Sequence, residues 1–105
     1  MKKKIKGTSE RPRLYIFKSN KHIYVQLIDD VNKIVLASSS SISPHIKQQN
    51  KSSTTCNTAR LIGKDIAIQS NKKNITKIVF DRGHRKYHGQ IKALAESTRE
   101  IGIIF

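Results

Sequence analysis

Two runs of alternating apolar and polar residues, residues 13–18 and 22–29, restrict the fold more than any other feature of the sequence. Such alternation is typical of strands with one buried face, and the short polar stretch between the runs predicts a β-hairpin. We expect an aliphatic set of side chains to face the core and a mixed set to face away from it. The aliphatic set is Leu14, Ile16, Ile23, Val25 and Leu27, and the mixed set is Arg13, Tyr15, Phe17, His22, Tyr24, Gln26 and Ile28.

The middle of the chain predicts a third strand, a loop and a helix. A turn leads into a strand over about residues 33–39, which completes an antiparallel meander, and the serine-rich residues 38–55 indicate a long loop. A helix capped by Thr54 or Thr55 should run to about Ser70. Its buried stripe is Ala59, Ile62, Gly63 and Ile66, and Gly63 should allow close packing on the sheet.

The last third of the chain makes the fold α/β. Residues 75–80 are mostly apolar and predict a central strand, buried on both faces and parallel to the first strand. A final helix is expected over about residues 88–100, and the apolar residues 103–105 should pack back as a short tail. The predicted domain is a mixed sheet of a three-strand antiparallel meander plus a parallel strand, packed with two helices.

Positive charge dominates the chain: 21 Lys and Arg residues stand against 7 Asp and Glu in 105 residues, for a formal net charge of +14. Self-repulsion at this charge favours a polyanionic partner, of which nucleic acid is the first candidate. A membrane is disfavoured because no apolar run approaches the roughly 20 residues of a span. A basic arm, residues 1–12, precedes the single domain, residues 13–105. Its candidates for phosphate contact are Lys2, Lys3, Lys4, Lys6 and Arg11.

A second basic segment, residues 81–88, lies where the last strand ends and the final helix begins. Ligands of α/β folds bind at that edge of the sheet, and the N–H groups at a helix start favour phosphate. We therefore expect this basic loop to bind an anion, with a solvated loop as the alternative. Its candidate residues are Arg82, Arg85, Lys86, Tyr87 and His88.

The sequence offers little for catalysis, metal or cofactor binding. Cys56 is the only cysteine, which excludes a disulfide within the chain, and we expect it to be a small buried or half-buried residue. Two histidines and an aspartate of the basic loop could suggest a metal site, but their basic neighbours would repel a cation. Only Asp29 and Asp30 are adjacent acids, at a turn where Asp is common, so hydrolytic metal chemistry is disfavoured. No small-molecule substrate is expected.

Two stretches are specific enough to indicate a family. GTSERPRLYIFKSNKHIYVQLIDD (residues 7–30) resembles the first half of the ribosomal protein L-eighteen family, and VFDRGHRKYHGQIKALAESTREIG (residues 79–102) resembles its second half. The two stretches cover about half the chain, in the right order and at the right separation. His84 and Gln90 depart from the family pattern, in which Gly and Arg are usual at these positions.

The resemblance implies a non-catalytic component of the large ribosomal subunit. Such a protein would bind 5S rRNA, help to anchor it in the central protuberance, and contact large-subunit rRNA and a neighbouring 5S-binding ribosomal protein. The implied topology is related to that of ribonuclease H. With Lys21 added for its charge, the RNA-binding candidates in the first stretch are Arg11, Arg13, Phe17, Lys18, Ser19, Asn20, Lys21, His22, Tyr24 and Gln26.

The origin and two other functions stay open. The heavy use of Ile, Lys and Asn suggests an AT-rich genome, and with no transit peptide visible the chain is compatible with a plastid-encoded protein of the chloroplast ribosome. A bacterial cytoplasm is the alternative. The other functions are a basic RNA-processing enzyme and an RNA-binding module that works outside the ribosome.

Overall fold

The chain forms a four-stranded sheet and two long helices in a computed structural model that describes residues 6–19, 22–43, 46, 56–83, 87 and 89–105. The strands are β1 (Arg13–Ser19), β2 (His22–Asp29), β3 (Ile34–Ser40) and β4 (Val79–Asp81), and the helices are α1 (Cys56–Lys72) and α2 (Gly89–Glu100). Neither helix, nor any other helix in these residue ranges, is long and apolar enough to cross a membrane.

The sheet has the order β3-β2-β1-β4. β1 and β2 pair antiparallel from Arg13 opposite Ile28 to Ser19 opposite His22, and β3 adds to β2 in the same sense. β4 lies parallel to β1 on the other side. The predicted mixed sheet, an antiparallel meander plus one parallel strand, is confirmed. The proposed relation to ribonuclease H stays a prediction.

The alternation in the hairpin predicted the core face correctly. The five aliphatic side chains, Leu14, Ile16, Ile23, Val25 and Leu27, are at most 1% exposed. They join the buried residues of both helices in one hydrophobic cluster, so the helices cover this face of the sheet. The mixed set on the other face is half-buried.

The predicted third strand, about residues 33–39, is confirmed by β3, whereas the loop predicted from residue 38 onward begins only after Ser40. Ser38, Ser39 and Ser40 belong to β3, where they pair with residues 24–26 of β2. Serine has a low strand propensity, but here pairing with an established neighbouring strand overrides local preference. Within the rest of the predicted loop, Ile46 is helical and buried, whereas residues 44, 45 and 47–55, with the predicted caps Thr54 and Thr55, lie outside the described residues.

The predicted central strand over residues 75–80 is also wrong. β4 has three half-buried residues and lies at an edge of the sheet. Ile75 and Ile78 are buried, but Thr76 and Lys77 are exposed, and the backbone there pairs with the apolar tail. The Ile78 N–H donates to the Ile104 carbonyl at 3.1 Å, and the Ile104 N–H donates to the Thr76 carbonyl at 2.8 Å. The tail therefore packs back, as predicted.

Close contact between the two helices explains Gly63. A Cβ at this position would collide with the Ser97 side chain and the Leu94 carbonyl of α2. The glycine therefore allows close packing against a helix, whereas the sequence predicted close packing on the sheet. Thr98 of α2 supports the contact by donating its hydroxyl to the Leu94 carbonyl at 2.8 Å and lying 3.3 Å from the Gly63 carbonyl. Cys56, expected to be at least half-buried, is exposed because it opens α1 on the solvent side.

Candidate nucleic-acid interface

A row of aromatic rings crosses the face of the sheet that the helices leave uncovered. The rings of Tyr15 and Phe17, two residues apart in β1, lie 5.7 Å apart with their planes at 25°. Phe17 and Tyr24 are directly opposite each other in β1 and β2, and their rings stack at 4.9 Å with planes at 6°. The period of two in a strand and the pairing register together place these three rings side by side.

Arg13 continues this row at its end beside β4. The guanidinium carbon lies 5.3 Å from the centre of the Tyr15 ring, a cation–π distance. Arg13 Nε donates to Asp30 Oδ2 at 3.0 Å and Nη2 to Oδ1 at 3.1 Å, while Nη1 donates to Asp81 Oδ2 at 2.9 Å. The hydrogen bonds from Arg13 hold the pKa of Asp30 below its usual value. Arg13 therefore binds two carboxylates of its own chain.

Each of these carboxylates also binds a backbone N–H group. Asp30 Oδ2 accepts from the Gly7 N–H at 2.7 Å, and the Gly7 carbonyl accepts from the Asp30 N–H at 3.0 Å. Asp81 Oδ1 accepts from the Gly83 N–H at 2.9 Å. A Cβ on Gly7 would lie 2.6 Å from the Ile28 carbonyl oxygen, so only glycine fits this close approach. The basic arm and the basic loop are thus attached to the same arginine–carboxylate cluster.

A shallow groove beside the aromatic row adds residues that the sequence did not indicate. It encloses about 160 Å³ and is lined on one side by Phe17, Tyr24 and Gln26 and on the other by Ser38, Ser40 and Ser43, with Val25 and Ser39 between them. Beyond its end, His22 Nδ1 lies 2.9 Å from the Ser41 hydroxyl. The sequence predicts Ser40 and Ser43 in a loop and Ser38 where this loop overlaps the third strand. The register of β3 against β2 brings Ser38 and Ser40 beside Gln26 and Tyr24.

A second aromatic cluster holds Tyr87 of the basic loop. Tyr87 packs edge-on against Phe80 with ring centres 6.3 Å apart, and Phe80 stacks on Phe105 at 5.2 Å. Arg99 of α2 donates to the Tyr87 hydroxyl at 3.2 Å and lies over the Phe105 ring at 4.2 Å. The sequence did not indicate the other members of this cluster as site residues, because they come together only when the tail packs on β4. They are Phe80, Arg99 and Phe105.

The structure describes eleven of the sequence-predicted contact residues at least in backbone. Arg13, Phe17, Tyr24 and Gln26 share the face of the sheet away from the helices, with His22 at its far end. Lys6, Arg11, Lys18 and Arg82 are exposed, and Arg82 lies 5.7 Å from the Tyr87 ring centre. Ser19 ends β1. The candidates Lys2, Lys3, Lys4, Asn20, Lys21, Arg85, Lys86 and His88 lie outside the described residues.

The acidic residues near this face serve local structure. Asp29 is 1% exposed and accepts from the N–H groups of Val31 and Asn32 and, at 2.8 Å, from the Asn32 side-chain amide. The amide hydrogen bond holds the pKa of Asp29 below its usual value. Among the described residues, no three His, Cys, Asp or Glu side chains group as they would around a metal ion.

These features define a small, strongly basic α/β protein with an aromatic sheet face next to two basic segments. The whole chain, residues 1–105, matches the family model described as ribosomal L18 of archaea, bacteria, mitochondria and chloroplasts. The chain therefore belongs to the ribosomal L18 family, a family of structural ribosomal proteins.

Two similar proteins carry the name large ribosomal subunit protein uL18c. The one from Gracilaria tenuistipitata var. liui is 52% identical over 105 residues and covers 100% of both chains. The one from Pyropia yezoensis is 49% identical over 105 residues, covering 100% of this chain and 88% of its own. The large ribosomal subunit protein uL18 of Trichormus variabilis is 51% identical over 102 residues, covering 97% of this chain and 85% of its own. Similar proteins with the names uL18c and uL18 fit a plastid ribosome or a bacterial one.

Proposed function

We propose that this chain is a structural protein of the large ribosomal subunit that binds 5S rRNA and helps to anchor it in the central protuberance. The observation that carries the proposal is the aromatic row on the uncovered face of the sheet. Three neighbouring rings, Tyr15, Phe17 and Tyr24, are half-buried and stacked, which gives them fixed orientations. Aromatic side chains presented on a sheet are a common platform for unpaired RNA bases.

The groove beside the row suits one unpaired base. Its volume of about 160 Å³ is below the roughly 300 Å³ at which pockets for larger organic ligands begin. Gln26 supplies an amide that both donates and accepts, and Ser38 and Ser43 supply hydroxyls that do the same. A base against Tyr24 could therefore be hydrogen-bonded at its edge, while the ring system provides the stacking surface.

Affinity for the sugar–phosphate backbone would come from the two basic segments. The basic arm carries Lys2, Lys3, Lys4 and Lys6, and the basic loop carries Arg82, Arg85 and Lys86. Each phosphate that these cations neutralise releases bound counterions, which gives binding a steep dependence on salt. With a formal net charge of +14, the chain gains more from a polyanionic partner than from a neutral one.

A non-catalytic role fits the use of the acidic residues. Asp30 and Asp81 are ion-paired to Arg13, at 3.0 Å and 2.9 Å, and Asp29 is occupied by the turn that follows β2. A nuclease that uses metal ions needs carboxylates that converge on a site open to the substrate. In the described part of the chain, the acids near the aromatic row neutralise or cap groups of the protein itself.

A salt titration of RNA binding tests this proposal. The full chain is titrated with 5S rRNA between about 50 and 200 mM salt, and with an unrelated folded RNA of the same length as the control. We expect tight binding to 5S rRNA that weakens linearly in log–log form, with weaker binding to the control at every salt concentration. Equal affinity for both RNAs, or binding insensitive to salt, would contradict the proposal.

A further inference from the structure

Arg13 connects the two basic segments through hydrogen bonds to two carboxylates. Its guanidinium binds Asp30 on one side and Asp81 on the other. Asp30 in turn holds the N–H of Gly7 at the base of the arm, and Asp81 holds the N–H of Gly83 in the basic loop. Gly7 and Gly83 are 76 positions apart in the sequence, yet two carboxylates and one guanidinium separate them in the fold.

We propose that Arg13 is a positioning residue that fixes the basic arm and the basic loop relative to each other, so that both engage one RNA at the same time. This inference rests on the proposed binding of 5S rRNA. It assigns to Arg13 a role different from the direct RNA contact expected from the sequence, because the side chain is turned to partners within the protein.

The charge of the cluster supports this role. Arg13 is a single cation between two carboxylates, so the three groups together are net negative and do not by themselves attract a phosphate. The Arg13 side chain is only 20% exposed. Removal of its charge would leave two carboxylates beside the proposed path of the RNA, where they would repel phosphates.

Each anchor lies directly beside a cation of its segment. Lys6 precedes Gly7 in the basic arm and Arg82 precedes Gly83 in the basic loop, and both side chains are exposed. With both anchors fixed to Arg13, binding of one segment raises the effective concentration of phosphates near the other.

The first test uses the protein without RNA. Lysine cannot bind two carboxylates in the forked geometry of a guanidinium, so Arg13→Lys should free both anchors while keeping the charge. We expect the amide exchange rates of Gly7 and Gly83, measured by NMR, to rise together in Arg13→Lys. Thr98→Val is the control, because it removes the hydrogen bond from Thr98 to the Gly63 carbonyl between the helices and that to the Leu94 carbonyl within α2, and so lowers stability away from the cluster. A rise at neither glycine or at one alone, or the same rise in Thr98→Val, overturns the inference.

The second test measures the consequence for RNA binding. Replacement of Lys2, Lys3 and Lys4 by alanine should reduce the slope of log affinity against log salt by up to about 2.7, or about 0.9 for each phosphate that is no longer neutralised. In an Arg13→Lys background the same replacement should reduce the slope by less than about 1, because the arm is no longer directed to the RNA. In a Thr98→Val background the reduction should equal that of the wild type.

The outcomes separate this inference from the proposed function. Equal slope reductions in the wild-type and Arg13→Lys backgrounds, with 5S rRNA bound by both, would mean that Arg13 supports only stability, and the inference would be wrong. Failure of the wild type to prefer 5S rRNA would refute the proposed function instead. In that case the exchange rates of Gly7 and Gly83 still decide whether Arg13 couples the two segments.

Discussion

Truncation of Phe17 is the most informative change at the aromatic row. Phe17 is the central ring, stacked on Tyr15 at 5.7 Å and on Tyr24 at 4.9 Å. Phe17→Ala removes both contacts, and Phe17→Leu keeps an apolar side chain of similar bulk without a ring. A base stacked on this row depends on Phe17 for the orientation of the neighbouring rings, so both variants should weaken binding to 5S rRNA, and the leucine variant should lose less stability than the alanine variant.

The magnitudes follow from the contacts. Stacking of a base on an aromatic side chain is worth about 1–3 kcal/mol, so loss of one stacked base should raise the Kd by about 5- to 150-fold. Each aromatic pair is worth about 0.5–1.5 kcal/mol beyond the area it buries, so the two pairs of Phe17 contribute about 1–3 kcal/mol. Phe17→Ala should lower the free energy of unfolding by at least this amount, because it also removes buried apolar area. Phe17→Leu loses the same ring contacts but keeps most of the apolar burial, so it should cost less than Phe17→Ala.

The assay combines RNA binding with thermal unfolding of the same samples. Ile34→Ala is the matched control, since Ile34 is a large apolar residue of the same sheet, 49% exposed, in edge strand β3 away from the row. We expect its affinity for 5S rRNA to equal that of the wild type. Unchanged affinity in Phe17→Leu, with the protein folded, would refute the stacking of RNA on this row.

Two further predictions concern stability. In Gly63→Ala the new Cβ meets Ser97 and the Leu94 backbone carbonyl, which cannot give way as a flexible side chain can, so we expect overpacking at the upper end of its usual range, about 3 kcal/mol. After a gain of about 1 kcal/mol in helix propensity, the free energy of unfolding should fall by about 2 kcal/mol. A denaturant titration that finds the variant as stable as the wild type would contradict the close helix contact. Acid should destabilise the protein, because the pKa of Asp30 is depressed in the folded state by Arg13. The unfolded state then binds more protons, so this stability is complete above the unfolded pKa near 3.9 and is lost as the pH falls through the lower folded pKa. In urea unfolding, the free energy of unfolding of Asp30→Asn should therefore lie further below that of the wild type at pH 6 than at pH 3. The same difference at both pH values would argue against the ion pair.

The hairpin was predictable from the sequence because its determinants are local. Alternation with a period of two distinguishes the two faces of a strand. A short polar turn sets how the strands on either side of it pair. The same reasoning placed Phe17 and Tyr24 on one face, and the register brought their rings together. The buried stripe of α1, Ala59, Ile62, Gly63 and Ile66, was predictable for an equivalent reason, since a helix repeats its faces every 3.6 residues.

The features that were missed depend on contacts between distant parts of the chain. The run at residues 75–80 has the composition of a buried strand, but the tail occupies one side of it and β4 is an edge strand of three residues. Arg13 was read as a cation free to bind RNA because Asp30 and Asp81 are 17 and 68 positions away. No local pattern reveals that an arginine in a basic sequence has both carboxylates as partners.

The serines of β3 illustrate the same limit at the site itself. The sequence predicts a loop from Ser38 onward, overlapping the end of the predicted third strand, because this segment is serine-rich and has no apolar periodicity. The positions of Ser38 and Ser40 opposite Gln26 and Tyr24 follow from the pairing of β3 with β2, and this pairing forms the groove. A polar strand that lines a groove resembles a loop in composition.

The central claim, that 5S rRNA lies on the face formed by β1 and β2, is tested most directly by cross-linking. Purified large subunits, or the full chain bound to 5S rRNA, are irradiated with ultraviolet light, digested and analysed by mass spectrometry for peptides that carry a nucleotide. We predict cross-links between 5S rRNA and the strands that hold the row, above all at Phe17 and Tyr24. Cross-links to 5S rRNA confined to the outer faces of α1 and α2, or to a different RNA at the row, would contradict the claim.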